Sequence, residues 1–178
     1  MKTIKAIIQV IVLIIVVLTA HSCWKDSEYN HWHIPFKNNT EKRMYVDFYY
    51  HDKWLPYLGY PDTLFGSYDP SDPAANGMYL VEPYEEDYEA LFSLEFTWEG
   101  GFIDLYDTLM IFVFDADTLE TLGWDSVRTN YKVLQRYDLR LEDLQYLGFR
   151  LCFPPEEKMK HIHMWPPYGT YDENGRKK

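Results

Sequence analysis

Apolar and polar residues alternate with a period of two over several short stretches, which is the pattern of half-buried β-strands. The clearest alternation runs from Met44 to Tyr50. An Asn-rich turn at 37–41 joins it to a similar segment at 32–36, so we expect an opening hairpin. Residues 109–114 are apolar at every position, which is typical of a central strand covered on both faces. Further strands are predicted at 78–81, 91–96, 132–137 and 149–153.

Two segments in the second half have apolar residues at spacings of three and four, the pattern of short amphipathic helices. One runs from about residue 124 to 131 and the other from about 141 to 147. Gly148 is placed to end the second helix in the left-handed conformation, which glycine adopts at low cost. The pattern indicates a mainly β (α+β) fold class, an antiparallel β-sandwich-like domain with two short helices in its second half.

The first 22 residues have the layout of a secretory signal, because Lys2 and Lys5 precede an almost unbroken apolar run. This run of about 15 residues is shorter than the roughly 20 that a helix needs to cross a bilayer. Residues 18–23 (Leu-Thr-Ala-His-Ser-Cys) resemble a bacterial lipobox. Cys23 would then be the first residue of the mature chain and carry acyl chains such as palmitate. The alternative is an ordinary signal peptide with an incidental cysteine.

These features divide the chain into four predicted parts. Residues 1–22 are the lipoprotein signal peptide, 23–31 a flexible tether, 32–153 a single globular β-rich domain and 154–178 an irregular C-terminal tail. Residues 24–28 (Trp-Lys-Asp-Ser-Glu) look like the signal that sends lipoproteins to the outer face of the outer membrane, or they are only a solvated tether. We expect a cell-envelope protein that is lipid-anchored to the outer membrane and exposed at the cell surface.

The net charge argues against a nucleic-acid-binding protein, and the cysteine count argues against an intramolecular disulfide. The formal charge is −11, and removal of the signal with its two lysines would make it about −13. Such a chain repels nucleic acid, whose phosphates are bound by Lys and Arg. The Gly100-Gly101 pair is isolated and forms no phosphate loop. With Cys23 acylated, Cys152 has no disulfide partner in the chain, and we expect it to be a semi-buried structural thiol.

One long stretch resembles a family. Residues 107–120 (DTLMIFVFDADTLE), with Trp124 and the later segments 127–139 and 141–144, are similar to small surface lipoproteins of Gram-negative gut anaerobes that have no assigned activity. The resemblance implies lipoprotein status and a shared fold, and it transfers no catalytic residue. Arg140 departs from the family pattern, which tends to have a helix-capping Thr there. Because Arg cannot accept backbone N–H bonds, we expect a weaker helix start.

The segment 52–77 is a long predicted loop rich in Pro, Gly and Asp. Loops of this length inside compact domains are often functional. Sugar rings stack on aromatic side chains, and the loop carries several of these. The candidate ligand-binding residues are therefore Trp54, Tyr57, Tyr60 and Tyr68. The alternative is that these rings fold back as a lid over the core.

Two pairs of residues are weaker candidates for chemistry. Asp115 and Asp117 follow the buried strand, where their carboxylates could bind calcium or act as an acid–base pair. Asp117 and Glu120 also fit a helix-capping pattern, and we favour this interpretation. His161 and His163 place two imidazoles on one face of a strand, a geometry that metal sites use. A zinc site needs three or four ligands, so we favour the interpretation that these histidines bind no metal. The sequence predicts no catalytic residue, no metal site and no cofactor.

Three classes of function stay open. The leading hypothesis is a non-enzymatic binding domain, held at the membrane by its N-terminal lipid, whose partner is an extracellular glycan or an outer-membrane protein. A structural or accessory subunit of an outer-membrane complex is the alternative, and it predicts an apolar surface patch. A glycan hydrolase is the least favoured, and it predicts a pocket with convergent carboxylates of perturbed pKa.

Overall fold

The computed structural model describes residues 31–52, 78–91 and 97–178. Eight strands and four α-helices are present in these ranges. In chain order they are β1 (Phe36–Asn38), β2 (Met44–Asp52), β3 (Tyr79–Val81), β4 (Glu86–Asp87), α1 (Trp98–Asp104), β5 (Tyr106–Asp115), α2 (Ala116–Leu122), α3 (Trp124–Thr129), β6 (Gln135–Leu139), α4 (Leu141–Leu147), β7 (Leu151–Phe153) and β8 (His163–Trp165), with a 3-10 turn at Glu157–Met159.

The strands form two sheets. The larger is antiparallel throughout and has the order β3-β2-β5-β6-β8. The smaller has the order β4-β1-β7, in which β1 is antiparallel to β4 and parallel to β7. Over the described residues the fold is therefore mainly β with four short helices, and this part of the predicted fold class is confirmed.

Strand β5 lies at the centre of the larger sheet and is covered on both faces, as the sequence predicts. Leu109, Ile111 and Val113 are buried in one apolar cluster, which also contains residues of the smaller sheet. The alternate residues Met110, Phe112 and Phe114 are buried in a second cluster, against α2 and α3. This alternation explains why the strand is apolar at every position.

The two helices predicted in the second half are confirmed as α3 and α4, and Gly148 ends α4 with φ 64° and ψ 36°. Helices α1 and α2 were not predicted. The N-cap of α2 is Asp115, whose side chain accepts a 2.8 Å hydrogen bond from the amide of Thr118. The expectation that Asp117 caps this turn is therefore wrong. Asp117 and Glu120 instead bind the guanidinium of Arg43.

The predicted opening hairpin is wrong, because β1 and β2 belong to different sheets. Hydrogen bonds of the buried Asn38 side chain determine the path of the chain between β1 and β2. Its amide donates to the carbonyls of Lys42 (2.6 Å) and Glu82 (3.1 Å), and its oxygen accepts from the amide of Thr40 (2.9 Å). These bonds fold residues 39–43 into a crossing between the sheets rather than a hairpin turn.

Two other strand predictions need correction, and the one at 91–96 lies outside the described residues except for Leu91. The strand predicted at 132–137 lies at Gln135–Leu139. The strand predicted at 149–153 begins at Leu151, because Phe149 has a φ of 52° and lies outside the ladder. Cys152 is fully buried like both of its neighbours, whereas a semi-buried thiol was expected.

The C-terminal residues also differ from expectation. Residues 154–178 were expected to be an irregular tail, but His163–Trp165 form strand β8 at the edge of the larger sheet. Met159, Ile162 and Met164 are buried in the core. The segment therefore belongs to the same compact unit, His31–Lys178, as the preceding residues.

Three of the predicted segments lie outside the described residues, wholly or for the most part. These are the signal, the tether with Cys23 as far as residue 30, and the 52–77 loop beyond Asp52. Among the helices that the structure describes, none is long and apolar enough to cross a membrane.

Candidate ligand-binding sites

A cavity of about 380 Å³ opens beside the C-terminal segment, and we call it the tyrosine cavity. Its walls come from three parts of the chain, namely the turn after β1, the Pro154-Pro155 segment and residues 168–173. The polar and aromatic side chains that line it are Asn39, Glu156, Tyr168, Tyr171, Asp172, Glu173 and Lys178.

The two tyrosines of this cavity differ in how they are held. Tyr171 is fixed, because its hydroxyl donates a 2.8 Å hydrogen bond to the carbonyl of Leu134 and its ring packs edge-on against Phe153 at 5.1 Å. Burial raises the pKa of Tyr171. Tyr168 is 40% exposed. The cavity thus has one anchored ring and one accessible ring.

The acidic wall is held by a tight turn. The carboxylate of Asp172 accepts hydrogen bonds from the amides of Arg176 and Asn174, both at 2.9 Å. These bonds, led by the one from Arg176, hold the pKa of Asp172 below its usual range. Gly175 has a φ of 73°, and a Cβ there would lie 2.6 Å from a side-chain carbon of Thr40. The turn is therefore packed directly against the turn after β1.

The tyrosine cavity combines apolar ring faces with hydrogen-bonding groups. Glu156 and Glu173 offer carboxylate oxygens, and the side chain of Asn39 offers a donor and an acceptor. A ligand that suits these walls has apolar C–H faces and several hydroxyl groups.

A second cavity has a volume of about 370 Å³, and we call it the histidine cavity. Residues from β5, β6, α4 and the β8 segment line it. They are Thr108, Asp138, Arg140, Asp143, His161 and His163.

A buried ion pair supports the histidine cavity. Arg136 and Asp138 are 8% and 5% exposed, and the guanidinium contacts both carboxylate oxygens at 2.8 and 2.9 Å. Burial opposes the charge of Arg136, but Asp138 and the hydroxyl of Tyr131 outweigh burial and raise its pKa. The positive charge of Arg136 therefore balances the negative charge of the Asp138 carboxylate.

His163 lies directly opposite Asp138 in the β6–β8 ladder, so their side chains share one face. Its Nδ1 lies 2.7 Å from the Asp138 carboxylate. His161 lies 4.0 Å from the carboxylate of Asp143, and its ring packs edge-on against Tyr146 at 4.8 Å. The structure therefore brings both predicted histidines to one cavity, together with two carboxylates.

No group of three or more His, Cys, Asp or Glu side chains is placed to hold a metal ion in the part of the chain that the structure describes. Asp115 contributes to a cap and to an ion pair with Lys42 at 2.7 Å. Cys152 is 4% exposed, and burial raises its pKa to about 11. A thiol with this pKa is almost entirely protonated near neutral pH and is a poor nucleophile.

The candidate residues Trp54, Tyr57, Tyr60 and Tyr68 lie outside the described residues. The tyrosine cavity was not predicted from the sequence, although Tyr168–Glu173 combines tyrosines and acids as the 52–77 loop does. The prolines and the charged end of this segment suggested an irregular tail instead.

Comparison of the chain with protein-family models, with curated proteins and with solved structures found no match in any of the three.

Proposed function

We propose that this chain is an exported lipoprotein that binds an extracellular glycan without cleaving it. In this proposal Cys23 carries the lipid that anchors the chain to the outer membrane, and the two sheets form a sandwich-like domain exposed at the cell surface. The anchoring rests on the charged-then-apolar layout of residues 1–23. The single observation that carries the binding function is the tyrosine cavity.

The chemistry of this cavity suits a sugar. The accessible ring of Tyr168 offers an apolar face to the C–H groups of a pyranose, while Glu156 and Glu173 accept hydrogen bonds from hydroxyls. The hydrogen bond from the hydroxyl of Tyr171 to the carbonyl of Leu134 holds a second ring of the cavity in place. A volume of about 380 Å³ is in the ordinary range for small-ligand pockets, roughly 300–1,000 Å³.

The pKa of Asp172 does not suit acid catalysis of glycoside hydrolysis. A glycosidase needs one carboxyl group whose pKa is raised, so that it can protonate the leaving group. Asp172, the carboxylate at the centre of the acidic wall, has its pKa shifted down by two backbone amides. This shift is opposite to the one that a general acid requires.

The test uses the chain starting after Cys23 on a glycan array, followed by calorimetry on any glycan that binds. Tyr168→Ala is expected to weaken binding about two- to tenfold, since an aromatic contact contributes about 0.5–1.5 kcal/mol. Tyr84→Ala is the matched control, because Tyr84 is also exposed but lies outside the cavity.

Two outcomes would contradict the proposal. If Trp54→Ala/Tyr57→Ala abolishes binding while Tyr168→Ala has no effect, the glycan site is the 52–77 loop. If no glycan binds and a membrane protein is recovered with the chain instead, the chain is an accessory subunit of an outer-membrane complex.

A further inference from the structure

We propose that the ligand of the tyrosine cavity is an amino sugar with a free, protonated amine, and that the cavity selects it over neutral and acidic sugars. This inference rests on the proposed glycan binding and names the class of sugar that the same site takes. The charges of the cavity walls and the accessible ring of Tyr168 carry it.

The first argument is the charge of the cavity walls. Three of the described side chains that line the cavity are carboxylates, whereas one, Lys178, is an ammonium group. The chain as a whole has the same sign, with 28 acidic and 17 basic residues. A negative surface attracts cations and repels anions. The charges therefore favour a cationic sugar and disfavour a uronic acid or a sulfated sugar.

The second argument is that two of these carboxylates keep oxygens for a ligand. Both backbone amides that bind Asp172 bond its Oδ1, and its Oδ2 has no partner in the described part of the chain. Glu173 is exposed, and its carboxylate makes no hydrogen bond or ion pair with a described residue. Glu156 differs, because the ammonium of Lys158 lies 3.3 Å from its carboxylate. Asp172 and Glu173 are therefore the acceptors for a ligand ammonium group.

The negative charge of Asp172 persists in mild acid. Its pKa is held below its usual range, first by the hydrogen bond from the Arg176 amide and then by the one from the Asn174 amide. The charges of Arg176 and Lys178 act in the same direction, although neither side chain forms an ion pair with Asp172. The carboxylate is therefore ionised at the mildly acid pH at which an amine is fully protonated.

The third argument is the ring of Tyr168, which is 40% exposed. An aromatic face attracts a cation, and it also packs against apolar C–H groups. A protonated amino sugar presents both kinds of group, because its ammonium is bonded to a carbon of the sugar ring. The N-acetylated form of the same sugar keeps the C–H groups but has no charge. It therefore lacks the attraction to the carboxylates and the cation–ring attraction.

The test titrates the full chain, purified in detergent, with three trisaccharides by calorimetry. They are a glucosamine trisaccharide, its N-acetylated form and a trigalacturonate, which are cationic, neutral and anionic. At about pH 5.5 both amines and carboxylates are charged. We expect the glucosamine trisaccharide to bind at least about fivefold more tightly than the N-acetylated form, and the trigalacturonate to bind more weakly than both.

The same titration at about pH 9, where an amine is mostly deprotonated, separates charge from shape. The described residues that line the cavity include no histidine, so the charges of its walls change little between the two pH values. The preference for the glucosamine trisaccharide should then fall below about twofold. An equal preference at both pH values would show that the charge of the amine is not recognised and would overturn the inference.

Glu173→Gln removes one charge from the cavity and keeps the shape of the side chain. It is expected to weaken binding of the glucosamine trisaccharide about threefold and to leave the N-acetylated form unaffected. Glu142→Gln is the matched control, because Glu142 is also exposed but lies outside the cavity, and it removes the same charge from the chain. It should change neither affinity. Thermal unfolding of each variant verifies that it is folded.

The inference is overturned if the glucosamine trisaccharide does not bind, or binds no more tightly than its N-acetylated form. It is also overturned if the trigalacturonate binds best and Lys178→Gln abolishes that binding, since the cavity then takes an acidic sugar. In both cases, binding of any glycan that is weakened in Tyr168→Ala leaves the proposed function standing. A glycan array without any signal contradicts the proposed function and this inference together.

Discussion

The hydroxyl of Tyr137 donates a 2.7 Å hydrogen bond to the backbone carbonyl of Cys152. Tyr137 lies in β6 of the larger sheet and Cys152 in β7 of the smaller one. Both residues are buried in the same apolar cluster. The bond is therefore a polar link between the two sheets.

Tyr137→Phe removes this link without changing the shape of the ring. We expect a loss of about 1–3 kcal/mol in the free energy of unfolding, because a buried carbonyl loses its donor. Urea denaturation measures the loss. Tyr146→Phe is the control, because Tyr146 is 64% exposed, and its effect should stay within about 0.5 kcal/mol. Equal effects of the two substitutions would contradict a structural role for this bond.

Cys152 should be inert in the folded protein. Its pKa of about 11 lies two units above the ordinary 9.0, so its thiolate fraction at pH 8 falls about 100-fold, and burial adds a steric barrier. In a Cys23→Ser variant, Cys152 is the remaining thiol. Its reaction with a disulfide reagent should be at least 100-fold slower in buffer than in denaturant. Comparable rates would show that the thiol is accessible.

Gly148→Ala should destabilise the protein by about 1 kcal/mol. Gly148 has a positive φ of 64°, and an added Cβ would meet no atom within 4 Å. The cost therefore comes from the backbone conformation alone. Gly148→Asn should cost less, because Asn tolerates this conformation better than Ala. Thermal denaturation ranks the three proteins, and an Ala variant as stable as wild type would show that α4 ends differently.

The charge of Asp115 should make stability sensitive to acid. Partial burial opposes this charge, but Lys42 and Thr118 outweigh burial and hold the pKa of Asp115 below its usual range. A carboxyl with a lowered pKa stabilises the fold above its unfolded value, about 3.9, and loses this effect as the pH falls through the folded value.

Asp115→Asn keeps the shape of the side chain and its capping oxygen but removes the charge. We expect wild type to be more stable than this variant by about 0.5–1 kcal/mol at pH 7. Urea denaturation at pH 7 and at about pH 3 should show the difference shrinking in acid. A difference that stays constant across this range would mean that the charge contributes nothing.

Secondary structure could be predicted from the sequence where the local pattern of apolar residues agrees with the tertiary environment. Strand β5 is apolar at every position because both of its faces are covered, and α4 has a leucine stripe followed by Gly148. Helix α1 was missed because it contains Gly100 and Gly101, which are poor helix formers. Packing requires Gly101, since a Cβ there would lie 2.5 Å from the ring of Tyr106.

The sites were harder to predict than the strands. The tyrosine cavity depends on contacts between Tyr171 and Leu134 or Phe153, which are distant in sequence. His161 and His163 were recognised as a pair, but their partners Asp138 and Asp143 come from β6 and α4. No local pattern encodes such distant partners.

The parallel pairing of β1 with β7 joins Phe36 to Leu151, so the smaller sheet needs both ends of the domain. Topologies dominated by such distant pairings fold slowly, because a long loop must close before any contact compensates for its entropy. A ribosome or a translocon delivers residues 151–153 late, and until then β1 lacks its parallel neighbour. The smaller sheet is therefore completed only after residues 151–153 are available.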